Sequence, residues 1–486
     1  MSGYKRKAIS GFLWQAFGLV GQQGIQLVAN MLFARLLLKS ENGVIVAAVV
    51  ILDYATLLRV SGISQAFVAY EGDDTETRHT VFWACLASGV AMSLAIFFGA
   101  PLVASLLNSP GLSFVLRALA VTQLIDSLKI VPFSLIWRHL RFKERTIAET
   151  TPYVLGLGAA VVGLFVLPAE RRIEAVVWMY IVRSVGQAIL FLYFERYWPK
   201  RIFDWTFFRL ISRRAATVLA FNLPSSTLVP LPSIAVFGRA GEVAGGAFGL
   251  AAKVVSPASR LSYAANITLF PIFARLRDDR EKLIPAILRS LKTVGAAPVA
   301  ILALIVATAP QLIPLILGER WRSAVPVAQL LACAGVFEMY SYVMASVLLA
   351  ANKAAFIIVT WSTTLALAAA LLFFWPMARG DAATGAALAV GYGAVGFLIS
   401  LASMSIAFRI PFLRVCGSLL PAFLSAGAAL AAADLAGMAV GAPLVSLAVK
   451  VFVFLAVFIP LCGILLGGTW RSLLSAHEIK ELIRAN

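Results

Sequence analysis

Charge is what this sequence has least of. Asp, Glu, Lys and Arg together form 13% of its 486 residues, against about 25% in an ordinary soluble domain. Hydrophobic residues make up 61% and the mean hydropathy is +0.90, so no water-soluble fold could hide the apolar surface. Lipid must be the solvent for most of it. Runs of strictly alternating polarity, which a membrane barrel requires, are absent. The spans are therefore helices. Histidine is scarce as well: His79, His139 and His477 are the only three, with no acid/base constellation around them to support catalysis. Cys85, Cys333, Cys416 and Cys462 lie far apart in apolar stretches, and no CxxC or Cys/His spacing supports a disulfide framework or a zinc site. No GxxxxGK[ST] phosphate loop occurs, which argues against direct drive by ATP. No cofactor is expected, and the chain is read as a transporter rather than an enzyme.

What is present is a series of apolar runs of about 20 residues or more, enough to cross ~30 Å of hydrocarbon at 1.5 Å per residue. Fourteen are expected, at about 9–38, 43–70, 81–107, 112–136, 150–168, 173–194, 215–238, 243–274, 287–317, 324–350, 353–376, 384–408, 415–437 and 441–468. Connectors are marked by Asn108-Ser109-Pro110-Gly111, Glu170-Arg171-Arg172, Gly318-Glu319-Arg320 and Arg379-Gly380-Asp381. Lys5, Arg6 and Lys7 before the first run resemble the start of a signal peptide. That run continues to Leu38 without a small-residue cleavage site and is expected to be retained.

The net charge of +18 suggests nucleic acid only superficially, since no basic stripe is interleaved with aromatics. Cations instead sort by side. With an inside N-terminus, alternate connectors collect Arg138, Arg141, Lys143 and Arg145, then Arg196 to Arg214, then Arg275 to Lys292, while the opposite ends hold few. This is the positive-inside pattern, and it places both termini in the cytoplasm. The long connector at 195–214 divides the chain into residues 1–194 and 215–408, with 409–486 as two further spans and a tail. A faint echo links Phe33-Ala34-Arg35 and Gly43 with Phe237-Gly238-Arg239 and Gly246, as in an internal repeat.

Seven cations remain inside the spans: Arg59, Arg117, Lys129, Arg183, Lys253, Arg260 and Lys450. Each costs ~2.5–3.5 kcal/mol at a helix centre and so needs water or a partner. Fewer acids face them, namely Asp53, Asp126, Glu338 and Asp434. Asp126 and Lys129, at i and i+3, are spaced to neutralise one another. Lys253 and Arg260 are nearly two turns apart and point the same way, ~10.5 Å apart along the axis. Arg183 shares a stripe with Tyr180 and Gln187. Gln15, Gln22, Gln26 and Asn30 form an uncharged polar stripe on the first span, which reads either as interhelical hydrogen bonding or as part of a binding surface. Unpaired cations at mid-depth suggest a solvated cavity that accepts an anion. Pro224, Pro230 and Pro232 crowd the seventh span, which reads as a hinge or as a fixed kink.

Several segments resemble the polysaccharide-transporter family, the Wzx-type flippases of the multidrug/oligosaccharidyl-lipid/polysaccharide exporter superfamily. They are Gly11-Phe12-Leu13-Trp14 running to Leu32-Phe33-Ala34-Arg35-Leu36-Leu37, Arg141-Phe142-Lys143-Glu144-Arg145, Ala244-Gly245-Gly246-Ala247-Phe248-Gly249-Leu250-Ala251, Leu269-Phe270-Pro271-Ile272-Phe273-Ala274-Arg275-Leu276 and Leu315-Ile316-Leu317-Gly318-Glu319-Arg320-Trp321. Phe248 departs from the family, which often has a tyrosine after its paired glycines. The resemblance implies an all-α integral membrane protein with two pseudo-symmetric six-helix lobes in a V around a central cavity, plus two C-terminal helices. It implies a bacterial inner (cytoplasmic) membrane flippase for a polyprenyl-diphosphate-linked oligosaccharide, driven by an ion gradient or the membrane potential. The expected partners are that lipid-linked sugar, membrane lipids, and a polymerase and other polysaccharide-assembly proteins, with no nucleic acid. A diphosphate suits Arg and Lys, and the expected substrate-binding residues are Arg35, Arg59, Arg183, Lys253, Arg260, Gln22 and Gln26. Asp53, Asp126 and Glu338 are the ion-coupling candidates. The alternatives are a cation-coupled drug exporter of the same fold, whose cationic cargo this cavity would repel, and a membrane polymerase or glycosyltransferase, which would need catalytic groups on a large outside loop.

Overall fold

The computed structural model describes residues 2–68, 75–277, 279–374 and 381–466, and these are almost wholly helical with no strand among them. The helices are α1 (Ser2–Leu36), α2 (Lys39–Val68), α3 (Thr75–Leu106), α4 (Pro110–Leu128), α5 (Ile130–Arg138), α6 (Phe142–Val166), α7 (Ile173–Glu195), α8 (Trp205–Leu228) and α9 (Leu231–Leu276). They continue with α10 (Arg280–Val294), α11 (Ala296–Leu317), α12 (Ala324–Ala350), α13 (Ala354–Phe374), α14 (Ala382–Phe408), α15 (Phe412–Met438) and α16 (Pro443–Leu466). Among the described residues every expected span falls on helix, the fourth divided at Lys129 into α4 and α5, and the chain is a multi-pass membrane protein.

Eleven stretches are long and apolar enough to cross a bilayer, or 12 with one bent pair. These eleven are the second to sixth and the ninth to fourteenth expected spans. The first lies on α1, where residues 2–13 have no described side chains. The seventh and eighth lie on α8 and α9. There the path bends by 46° between Trp205–Ala220 and Asn222–Ala258, at the turn that the ring of Pro224 crowds. It breaks again before α9, and once more inside α9 at Gly241 (φ 85°, ψ 175°), a backbone conformation that glycine adopts without steric cost.

Helix ends follow local chemistry. The Asp204 carboxylate accepts from the backbone N–H of Thr206 at 2.7 Å and of Phe207 at 3.2 Å, starting α8. Asp381 accepts from Ala383 N at 2.9 Å and starts α14. Asp279 caps α10, and its hydrogen bonds with Lys282 hold its carboxyl below the usual carboxylate range. Pro110 opens α4, where its missing N–H costs nothing.

The chain packs as two compact units, the described residues up to Gly249 and those from Leu250 onward. Lipid tails are as apolar as leucine, so helices within each unit are held by close contact of small residues and by hydrogen bonds rather than by exclusion of water. In the first unit, Phe33, Leu37, Val44, Ala48, Leu112, Leu116, Ala160, Val176 and Phe237 form one continuous core. The start of α2 lies directly against the Glu242–Gly249 turns of α9. A Cβ on Gly43 would overlap the carbonyl oxygen of Glu242, and one on Gly246 would stand 3.0 Å from Gly43 N and from Lys39 O. Ser109, fully buried, pins the same place by donating to Glu242 Oε1 at 2.6 Å. In the second unit, Trp321, Tyr340 and Met344 are fully buried. The last two helices are fastened by Lys450, whose Nζ donates to Asp434 Oδ1 at 2.7 Å and to Ala307 O of α11 at 2.9 Å.

Candidate functional site

The polar residues of the first unit that sequence places at mid-span converge from five helices. On α1, Gln22 Nε2 donates to Thr150 Oγ1 of α6 at 3.4 Å, and Gln26 Nε2 to Asn30 Oδ1 at 3.4 Å. The α1 stripe is thus partly an interhelical seam, as one of its two readings anticipates. Gln15 belongs to that stripe, but its side chain lies outside the described residues. On α2 and α4, Thr56 Oγ1 and Gln123 Nε2 bond at 2.9 Å, and Gln123 also donates to Leu52 O at 3.3 Å.

Asp126 is the hub of the charged group. Its Oδ1 accepts from Lys129 Nζ at 2.6 Å and from Ser184 Oγ of α7 at 2.6 Å. Lys129 Nζ donates onward to Gln187 Oε1 at 2.5 Å, and Gln187 Nε2 donates to Glu149 O of α6 at 3.4 Å. Asp126 and Lys129 therefore pair, as their spacing suggested. Arg59 and Arg183 also feel the Asp126 carboxylate electrostatically, without a hydrogen bond to it. Asp126 thus stands near three cations, and Asp53, exposed on α2, also acts on Arg183 electrostatically.

Arg59 is 5% exposed, and none of its three guanidinium nitrogens has a hydrogen-bond partner among the described residues. Burying a guanidinium without a partner costs several kcal/mol, so this arrangement is one that an anion relieves. Arg183 is half-buried, and its Cζ lies over two rings, 4.9 Å from the centroid of Tyr153 on α6 and 4.6 Å from that of Tyr180 on α7. It forms no hydrogen bond with a described residue. The approach of α6 to α7 depends on Gly156, where a Cβ would stand 2.7 Å from Met179 O and 3.4 Å from Arg183 Cβ. Sequence reasoning did not single out Tyr153. The signal available was the spacing of Thr150 and Tyr153, one turn apart on the face that Gly156 continues.

The other sequence-predicted residues distribute as follows. Arg35 is exposed in the last turn of α1. Pro224 lies inside α8, Pro230 in the break after it, and Pro232 is buried in the first turn of α9. The Tyr54 hydroxyl on α2 meets Thr227 Oγ1 at 2.7 Å, while Thr227 donates back to Leu223 O at 2.7 Å, so the bend is tied to α2. In the second unit, Lys253 is half-buried, and the Ser256 hydroxyl donates to its carbonyl at 3.3 Å. The side chain of Arg260 lies outside the described residues. Glu338 is half-buried on α12 and hydrogen-bonded to Tyr342, which packs on Trp361 with ring centroids 5.1 Å apart. Phe248, where a hydroxyl is absent, is 2% exposed and belongs to the packing.

Comparison with known proteins places this arrangement. The family model described as "Polysaccharide biosynthesis protein" matches residues 32–326. The chain is 26% identical over 349 residues to the lipopolysaccharide biosynthesis protein WzxC of Escherichia coli (strain K12), covering 71% of this chain and 70% of that one. It is 24% identical over 389 residues to the succinoglycan biosynthesis transport protein ExoT of Rhizobium meliloti (strain 1021), covering 79% and 73%. It is 22% identical over 402 residues to the teichuronic acid biosynthesis protein TuaB of Bacillus subtilis (strain 168), covering 82% of each. Among solved structures, the lipid II flippase MurJ in an inward closed conformation superposes with a TM-score of 0.69 at 12% identity, over 92% of this chain and 97% of that one. An inward-facing multidrug resistance transporter of the MATE family superposes with a TM-score of 0.64 at 14% identity, over 80% and 95%. These two likenesses concern the fold.

Proposed function

The chain belongs to the polysaccharide biosynthesis protein family, and on that premise we propose that it is a flippase for a polyprenyl-diphosphate-linked oligosaccharide repeat unit. The unit moves from the cytoplasmic to the outer leaflet of a bacterial inner membrane, for assembly of an exopolysaccharide, capsule or O-antigen. A polymerase and other assembly proteins are the expected partners downstream.

The observation that carries this reading is the surplus of cation inside the first unit. Arg59 is buried without a hydrogen-bonding partner among the described residues, and Arg183 is oriented by rings without an acceptor. The fold itself is shared with a drug transporter, so charge decides between cargoes. Cationic drugs would be repelled here, whereas a diphosphate offers both arginines what they lack. Lys253 and Arg260 of the second unit, and Arg35, Gln22 and Gln26, are further proposed substrate contacts. Asp53, Asp126 and Glu338 are the proposed groups through which an ion gradient or the membrane potential drives alternating access. The sorting of cations supports two cytoplasmic termini. A reporter fused after Arg171 should read outside and one after Arg201 inside, and either result inverted would refute that orientation.

The test is reconstitution. Purified protein in liposomes should move a fluorescent undecaprenyl-diphosphate disaccharide between leaflets. The Lys253→Ala/Arg260→Ala variant should lose that movement while inserting normally, each residue supplying a charged contact worth ~1.5–3 kcal/mol. Failure of the wild-type protein to flip the lipid, with uptake of a cationic dye in its place, would sink the proposal.

A further inference from the structure

Arg183 differs from the other interior cations in what surrounds it. Lys129 and Lys450 are spent in ion pairs with Asp126 and Asp434. Arg117 lies against Phe97 and donates to its carbonyl at 3.3 Å. The guanidinium of Arg183 instead rests over the rings of Tyr153 and Tyr180, 4.9 and 4.6 Å from their centroids. A guanidinium held over ring faces can keep the N–H groups that lie in its own plane free for an acceptor. No described residue accepts from them. Two carboxylates, Asp53 and Asp126, act on Arg183 electrostatically, but neither accepts a hydrogen bond from it, and Asp126 Oδ1 already accepts from Lys129 and Ser184.

The placement of the two rings is built into the chain. Tyr180 precedes Arg183 by one turn on α7 and shares its face. Tyr153 comes from α6, across the approach that Gly156 permits, where a Cβ would stand 2.7 Å from Met179 O. Tyr153 and Gly156 are themselves one turn apart, so the ring and the notch that admits α7 lie on one side of α6.

A planar cation held in place by two rings can read geometry as well as charge. It offers two parallel N–H donors to two coplanar oxygens, a fit that a lysine ammonium cannot reproduce at the same point. We propose that Tyr153 and Tyr180 are positioning residues that hold Arg183 edge-on to the cargo. There its guanidinium takes an oxyanion of the substrate, phosphoryl or carboxylate, through a bidentate pair of hydrogen bonds. Arg183 is then the specificity-determining residue for the anionic group. This inference rests on the flippase reading.

The experiment uses the full-length protein in detergent micelles and follows quenching of intrinsic fluorescence on titration with two probes, inorganic diphosphate and glucuronate. The first stands for the lipid carrier and the second for an acidic sugar. Arg183→Lys, which keeps the charge and loses the fork, should weaken binding of one probe by roughly tenfold, as much as Arg183→Ala does. Tyr153→Leu/Tyr180→Leu, which leaves the arginine in place and frees it, should weaken the same probe by a similar factor. Tyr153→Phe/Tyr180→Phe should recover most of the loss. Dependence confined to diphosphate assigns the stack to the carrier, and dependence confined to glucuronate assigns it to the glycan.

Wild-type affinity of Arg183→Lys for both probes would overturn the inference. So would wild-type affinity of the Leu pair. Thermal unfolding of each variant separates these results from loss of fold, since Arg183→Lys and the Phe pair should melt as the wild type does. Translocation of undecaprenyl-diphosphate disaccharide by the wild type is measured alongside. Its absence refutes the flippase reading, while its presence together with an unaffected Arg183→Lys refutes only the inference.

Discussion

Replacing Asp126 by asparagine tests the charged hub of the first unit directly. The amide keeps the size of the carboxyl and an oxygen for the Ser184 hydroxyl, but it removes the charge that Lys129 meets at 2.6 Å. Breaking a fully buried ion pair on one side costs about 3–5 kcal/mol. Here the two side chains are 21% and 20% exposed, and Lys129 keeps Gln187 as an acceptor. The loss should therefore be nearer 2 kcal/mol, the range of one charge-assisted hydrogen bond. For a unit of this size, each kcal/mol moves the melting midpoint by about 2–4 °C, which gives a drop of about 4–8 °C.

The cysteines supply the assay for that drop. Cys85 in the first unit and Cys462 in the second are 1% and 0% exposed, whereas Cys333 is exposed and Cys416 half-buried. In a Cys333→Ser/Cys416→Ser background, single-thiol versions labelled by a fluorogenic maleimide on heating report each unit separately. Asp126→Asn should lower the midpoint reported by Cys85 and move that reported by Cys462 far less. Adding Lys129→Met, which removes the stranded cation, should restore about half the loss. An unmoved Cys85 midpoint, an equal shift at both thiols, or no recovery in the double variant would refute the electrostatic account.

Gly156→Val should drive α6 from α7 by placing methyl groups where Met179 O and the Arg183 stem now stand. It should lower the Cys85 midpoint by an overpacking cost of about 1–3 kcal/mol and weaken oxyanion binding with it. Thermal melts and probe titrations run in parallel check both, and an unchanged midpoint would argue against the close approach. Pro224→Ala/Pro230→Ala should straighten the bend inside α8 and the break before α9 and reduce translocation more than abundance. A lone cysteine at Ser226 should change its labelling by an impermeant reagent when substrate or ion gradient is altered, and constant labelling with normal transport would make the bend a static kink.

Much of this was legible in the sequence, because hydropathy reports which helices face lipid. The i, i+3 spacing of Asp126 and Lys129 was enough to anticipate their pair, and three prolines within nine residues were enough to anticipate a broken seventh span. What escaped was whatever hydropathy does not measure. α8 begins at Trp205 because Asp204 caps it, yet Arg209, Arg213 and Arg214 make its first turns look like a connector. Likewise α9 runs to Leu276 and α10 starts at Arg280, so the expected cytoplasmic loop is largely helix with a polar surface. The turn at Gly241 was legible, since Arg239 and Glu242 interrupt the apolar run and the expected seventh and eighth spans part at 239–242; what hydropathy could not supply was its φ of 85°. The contact of Tyr153 with Arg183 joins residues on separate helices, and nothing in either local pattern names the other. Arg59 could be recognised as a mid-span cation, but its lack of a described partner is a property of the packing around it.

The bare contact of Gly43 with Gly246 carries a consequence for how such a protein diversifies. Where two backbones touch, there is no side chain to exchange, so that part of α2 and α9 has almost no tolerance for novelty. The polar residues on α1, α6 and α7 carry no such constraint at most positions. If the polar residues on α1, α6 and α7 contact the cargo as proposed, a lineage can alter recognition there while leaving the Gly43–Gly246 contact untouched. Cargo can drift from one polymer to another without the architecture being reinvented.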